Sequence, residues 1–103
     1  MAKRLEIVAR VVPDGKPFKV YGRDAWGLSE LISAGNKGCT PIDNPAPRWS
    51  AYIHALRTER GLHIETVTEL HGGQFSGHHA RYVLHSQVQI ITRSDRLQVS
   101  EAA

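Results

Sequence analysis

Histidine, cysteine and serine are the side chains in this chain with the means to hold a metal or attack a substrate. Their spacing argues against both. His71, His78 and His79 cluster in a glycine-rich stretch, and His63-x-Glu65 carries the first half of a deaminase zinc motif. The second half of that motif is a paired-cysteine element downstream, whereas the single cysteine, Cys39, lies upstream. Neighbouring His78 and His79 project to opposite faces of an extended strand, so no native zinc site and no cofactor are expected. Cys39, beside Thr40 and Pro41, has no base nearby in sequence and reads as a small buried hydrophobe. Ser76 lacks the strand-to-helix setting of a nucleophile elbow. Gly72-Gly73 is too short for a phosphate loop that opens a helix. The expectation is a protein that is not an enzyme.

The chemistry that remains is recognition of an anion. Between Arg48 and Arg60, Trp49, Tyr52, Ile53 and Leu56 fall at i, i+3, i+4 and i+7, one apolar helix stripe. Ala51, His54, Ala55 and Thr58 point away from it, flanked by Arg48, Ser50 and Arg57. This outward face has no acidic residue before Glu59, whereas a merely solvated helix tends to alternate its charges. Arg48, Ser50, Ala51, His54, Arg57 and Thr58 are therefore candidate DNA contacts. Arginine and hydroxyl groups reach phosphates or base edges, and the alanines admit close approach and meet thymine methyls. Downstream, His78, His79 and Arg81 are candidates for a phosphate backbone or a narrow minor groove. Histidines near phosphates gain charge in mild acid, so duplex binding is expected to tighten from about pH 8 to about pH 6.

These side chains need elements to carry them. Leu5, Ile7, Ala9 and Val11 alternate with Glu6, Val8, Arg10 and Val12, Pro13-Asp14-Gly15 supplies a turn, and Phe18 to Tyr21 alternates again. That pattern predicts a β-hairpin over residues 5–21. Trp26, Leu28, Leu31 and Ile32 recur at a helical period, with Asp24 as a cap or first-turn residue and Gly35 as the stop. A turn-rich link with room for one helical turn at Thr40-Pro41 leads to the helix over 48–60, which Gly61 ends. Strands follow from Leu62 to Glu69 and from Ala80 to Leu84, around a loop from His71 to His79. Val88, Ile90 and Ile91 add a short terminal strand, and the polar tail from Ser94 is expected to fray. Trp26, Trp49, Tyr52, Tyr82 and Phe18 read as core, because a small chain needs their buried area.

Composition bounds the same picture. At 103 residues and 41% apolar, the chain is sized for one globular core. A charge of +3 and a pI near 9.4 lean toward an anionic partner. One cysteine excludes a disulfide framework within the chain. There is no long apolar run, and Met1-Ala2-Lys3-Arg4-Leu5-Glu6 carries no apolar signal region, so no membrane association and a cytoplasmic location are expected.

Helix, link, helix, then a two-stranded hairpin is the order of a winged helix-turn-helix. The expected fold class is α+β: an N-terminal β-hairpin extension over residues 1–21, a winged helix domain over 22–93 and a flexible tail over 94–103. Helix 48–60 is the recognition helix and residues 62–84 the wing. Gly38-Cys39-Thr40-Pro41-Ile42-Asp43, Arg48-Trp49-Ser50-Ala51-Tyr52-Ile53, Ile64-Glu65-Thr66, and His71-Gly72-Gly73 with His79-Ala80-Arg81-Tyr82-Val83-Leu84 resemble a family of small bacterial winged-helix proteins. That family is often associated with phages and mobile elements. The resemblance spans roughly residues 22–88 and implies DNA binding, while Gln74 stands where members commonly carry proline.

The leading expectation is a double-stranded DNA-binding protein, a transcriptional regulator or an architectural factor such as an excisionase. Lys3, Arg4 and Arg10 are further candidates for phosphate contact. A homodimer joined through the exposed edge of the hairpin is a further expectation. The rival from another class is a protein–protein interaction module on the same scaffold, which Glu59, Glu65 and Glu69 beside the reading elements make credible.

Overall fold

The computed structural model describes residues 5–71 and 77–94. Lys3, Arg4, the side chain of His71, the loop 72–76 and the tail from residue 95 lie outside that description. The chain forms β1 (Glu6–Val11), β2 (Phe18–Tyr21), α1 (Gly22–Ala34), a 3-10 turn (Gly35–Lys37), α2 (Trp49–Arg60), β3 (Ile64–His71), β4 (Gly77–Leu84) and β5 (Val88–Ser94). This is an α+β winged helix fold with an N-terminal strand hairpin, as the element order predicts.

Two antiparallel sheets frame the helices. The first has the order β2-β1-β5, and the second is the β3-β4 hairpin. Because β1 is the middle strand, the free edges of the first sheet belong to β2 and β5. The alternation in β1 turns Ile7 and Ala9 fully inward, and Val20 of β2 joins them. β5 runs from Val88 opposite Val11 to Ser94 opposite Glu6, with one irregularity between Val8 and Ala9. Arg10 reinforces the pairing by donating from Nε to the Gln89 side chain at 3.1 Å.

Leu28 and Leu31 of α1 pack with Trp49, Tyr52, Ile53 and Leu56 of α2 in one core cluster that also takes in Leu62, Ile64 and Tyr82. Asp24 is a first-turn residue of α1 rather than its cap. Trp49 is the hub: its ring lies 5.3 Å from Trp26, 6.0 Å from Tyr52 and 5.9 Å from Tyr82, the last nearly parallel. Its indole Nε1 donates to the Asn44 carbonyl at 2.6 Å, which leaves no buried polar atom unmet there. Helix α2 ends at Gly61, whose φ of 68° is a left-handed value that other residues adopt at a cost. Its N–H and that of Leu62 bond back to Arg57 and Leu56, closing the last turn.

The link between the helices adds one piece to the sequence expectation. Its short helical piece directly follows α1 at Gly35–Lys37, and Pro41–Asp43 is a turn. The Thr40 hydroxyl accepts from the N–H groups of Ile42 and Asp43, the pattern of a helix cap, and the Asn44 N–H closes one turn on the Thr40 carbonyl at 2.8 Å. Cys39 exchanges two backbone hydrogen bonds with Tyr82, laying the link against β4. Gly38 permits that approach: its φ is 74°, and a Cβ there would stand 2.6 Å from the Tyr82 carbonyl oxygen. Within the expected wing the strands pair farther than the sequence predicts, with a ladder from Ile64 opposite Leu84 to His71 opposite Gly77. His78 and His79, read as loop, are strand residues.

Candidate nucleic-acid interface

The reading face of α2 follows from what the helix buries. With Trp49, Tyr52, Ile53 and Leu56 turned inward, Arg48, Ser50, His54, Arg57 and Thr58 are exposed and Ala51 is half-buried. Arg48 is the residue just before the helix, and no side chain caps the first turn. The Thr58 hydroxyl donates to the His54 carbonyl at 2.8 Å, which keeps its oxygen outward as an acceptor. Arg57 is partly committed: Nε and Nη2 donate to the Ile64 carbonyl at 3.1 and 2.6 Å, and Nη2 also reaches the Thr66 hydroxyl at 2.6 Å. It therefore fastens the base of the wing to the last turn of α2. At the same end, Arg60 lies over the Phe18 ring and is directed to the hairpin.

The wing has two faces of different chemistry, because strand neighbours alternate. On the side that meets α2 are Ile64, Thr66, Thr68 and Leu70, with Leu84, Tyr82, Ala80 and His78 opposite them. The other side carries Glu65, Glu69, His79, Arg81 and His85. There, Glu69 receives Arg81 Nε at 2.6 Å and lies 3.0 Å from His79 Nε2. Hydrogen bonding from the Arg81 guanidinium holds the Glu69 carboxyl below the usual glutamate range, and the same contact raises the guanidinium's own value. Arg81 Nη1 donates to the Lys37 carbonyl at 2.8 Å, and Nη2 stands 3.9 Å from Asp43. Arg81 thus ties the wing to the link between the helices. The wing residues singled out in the sequence are split: His78 is exposed on the α2 side, while His79 and Arg81 sit on the opposite one.

Sequence reasoning passed over Thr66, Thr68 and Leu70. The signal that finds them is the period-two count from buried Ile64, which puts all three on the side facing the helix.

Other chemistry is sparse. Burial pushes the Cys39 thiol up to about 11, with Glu30 adding to the shift, so it is a protonated core group at neutral pH. The His63 and His85 rings lie 5.1 Å apart, tilted at 40°, and His85 Nε2 lies 2.8 Å from Glu65. Among the described residues no three His, Cys, Asp or Glu side chains are arranged to hold a metal ion. An open cleft of about 340 Å³ lies between the end of α1 and the link, where Glu30 accepts from the Asn44 side chain at 3.0 Å. No helix among the described residues is long and apolar enough to cross a membrane.

A first helix, a pinned link, a second helix with a polar basic face and a hairpin fastened beside it define a winged helix domain, a class of fold that binds nucleic acid. The profile of a winged helix domain family matches residues 17–94, and the chain belongs to that family. The match begins just before β2 and takes in all of β5, farther at each end than the motifs in the sequence reach. Searches among curated proteins and among solved structures return no match to the chain.

Proposed function

We propose that this protein binds double-stranded DNA without acting on it chemically, as a transcriptional regulator or an architectural factor of the excisionase kind. Helix α2 enters the major groove and the wing lies against the backbone or the neighbouring minor groove. The observation that carries this reading is the exposed face of α2. Arg48, Ser50, His54, Arg57 and Thr58 stand out from the helix, half-buried Ala51 lies among them, and no carboxylate precedes Glu59. Arg48 and Ser50 meet phosphates beside the uncapped first turn, where the helix dipole favours an anion. Ala51, His54 and Thr58 face base edges, and Arg57 reaches a phosphate with the Nη1 hydrogens that its wing contacts leave over. His78 supplies the wing contact. His79 and Arg81 act by holding the wing in place. The cytoplasmic location expected for the protein follows from this role.

The test is fluorescence anisotropy with a mixed-sequence duplex, titrated from about 50 to about 200 mM salt. Four to six phosphate contacts give a log–log slope of roughly −4 to −5 on B-form DNA. Absence of binding by folded protein at the lowest salt overturns the reading and leaves the protein-interaction module in its place.

A further inference from the structure

At 77% exposure, Leu70 is the most exposed large apolar side chain among the described residues. It stands near the far end of β3, on the wing face that continues the reading face of α2. That continuity is physical, since Arg57 of α2 is bonded to Thr66, four strand positions earlier on the same face. The face holds Thr66, Thr68, Leu70 and His78 and no carboxylate. The carboxylates of β3, Glu65 and Glu69, point to the other side, where His85, His79 and Arg81 meet them. The guanidinium of Arg81 is turned away with them, so toward its end the α2 side of the wing offers aliphatic Leu70 beside the His78 imidazole and no paired charge. Such a surface is a poor clamp for phosphates. It suits a groove floor, where threonine hydroxyls meet base acceptors and an aliphatic side chain meets base faces.

The distances agree. Four residues of strand separate Thr66 from Leu70, about 13 Å at roughly 3.3 Å per residue. With Thr66 fastened to a helix in the major groove, about 12 Å wide, that reach crosses one phosphate ridge into the adjacent minor groove. We propose that Leu70 is an apolar wedge that enters this minor groove and partly unstacks one base step, so that the protein bends the duplex it binds. The proposal rests on the duplex-binding reading above, and it adds a preference for flexible pyrimidine–purine steps under the wing.

The experiment uses the full chain and a duplex of about 24 base pairs with TA and CA steps at its centre, labelled at both ends for energy transfer. The native protein shortens the end-to-end distance on binding. Leu70→Ala, exposed and away from the core, keeps the native thermal melt and binds with the distance unchanged. Its affinity for the intact duplex falls about tenfold, and that for a duplex opened by a central mismatch falls by less than about twofold. Leu70→Met retains the bend. If Leu70→Ala binds and bends like the native protein, the wedge is overturned while duplex binding stands. If the native protein binds no duplex at all, both fall. If Leu70→Ala instead changes the mass of the free protein in light scattering, the leucine covers a second copy and the wedge is overturned.

Discussion

Helix α2 and the wing both carry cationic residues that the sequence marks for DNA, and the structure leaves Arg48 and His54 of α2 outward while it engages Arg57 and Arg81 within the protein. On α2 the fold uses one stripe for the core, and what remains, Arg48 and His54 included, faces outward. On the wing the strongest cation, Arg81, is held by Glu69, Asp43 and the Lys37 carbonyl. A helix buries one side and leaves an arc to solvent. A strand has two sides, and here each meets another part of the protein near its base. The two elements therefore differ in what they present: α2 presents outward charge, and the wing a fixed position and an exposed Leu70 beside His78.

The widest test of that division removes the residue that joins the two elements. Trp49 is 3% exposed, bonds to Asn44 in the link and stacks on Tyr82 of β4. Trp49→Ala is expected to cost about 3–5 kcal/mol in a urea melt. Helix and wing should lose structure together, and a wing that melts separately would break the picture of one frame.

A sharper comparison sets one substitution on each element. Arg48→Glu should leave the thermal melt in place and lower duplex affinity about tenfold at ~0.1 M salt. Arg81→Gln should do the reverse. Amide exchange rises along β4 and at Cys39, whose N–H bonds to Tyr82, while affinity stays within about threefold for loss of a cation already paired. Equal losses of affinity in both variants would mean that the wing cation also reads phosphate.

The smallest effect is a pH dependence. The carboxyl of Glu69 is held below its usual range by Arg81, so its contribution is complete above the ordinary glutamate value of about 4.3. It is lost as pH falls through the depressed folded value. Exchange protection of the wing should decline in acid over that window, and Glu69→Gln should abolish the decline. A wing whose acid sensitivity survives Glu69→Gln draws it from another group.

What was legible in the sequence was local. The stripe of Trp49, Tyr52, Ile53 and Leu56 specifies α2 and its buried side, and Gly61 its end, because helix period and left-handed stop lie within a few residues of each other. The hairpin over 5–21 and the order of elements follow from the same short-range chemistry. What was not legible was long-range. Nothing near Arg81 announces that Glu69, Asp43 and the Lys37 carbonyl will meet it, since the link and the wing come together only in the folded chain. The extent of pairing in the wing is not legible for a related reason: His71, Gly77, His78 and His79 have loop-like composition, but the ladder begun at Ile64 opposite Leu84 carries pairing through them. The family match and the α2 face bear on nucleic-acid binding in general.

The pairing of β1 with β5 has a bearing on how the molecule assembles. Arg10 and Gln89, hydrogen-bonded side chain to side chain, lie 79 positions apart. Between them the chain must complete two helices, the link and the wing. Closing so long a loop carries an entropic cost that grows with the logarithm of its length, and sheets built on distant pairings form slowly. The three-stranded sheet is thus a clasp joining the two ends of the folding unit. A chain halted before Val88 leaves that edge of β1 without the strand that fills it.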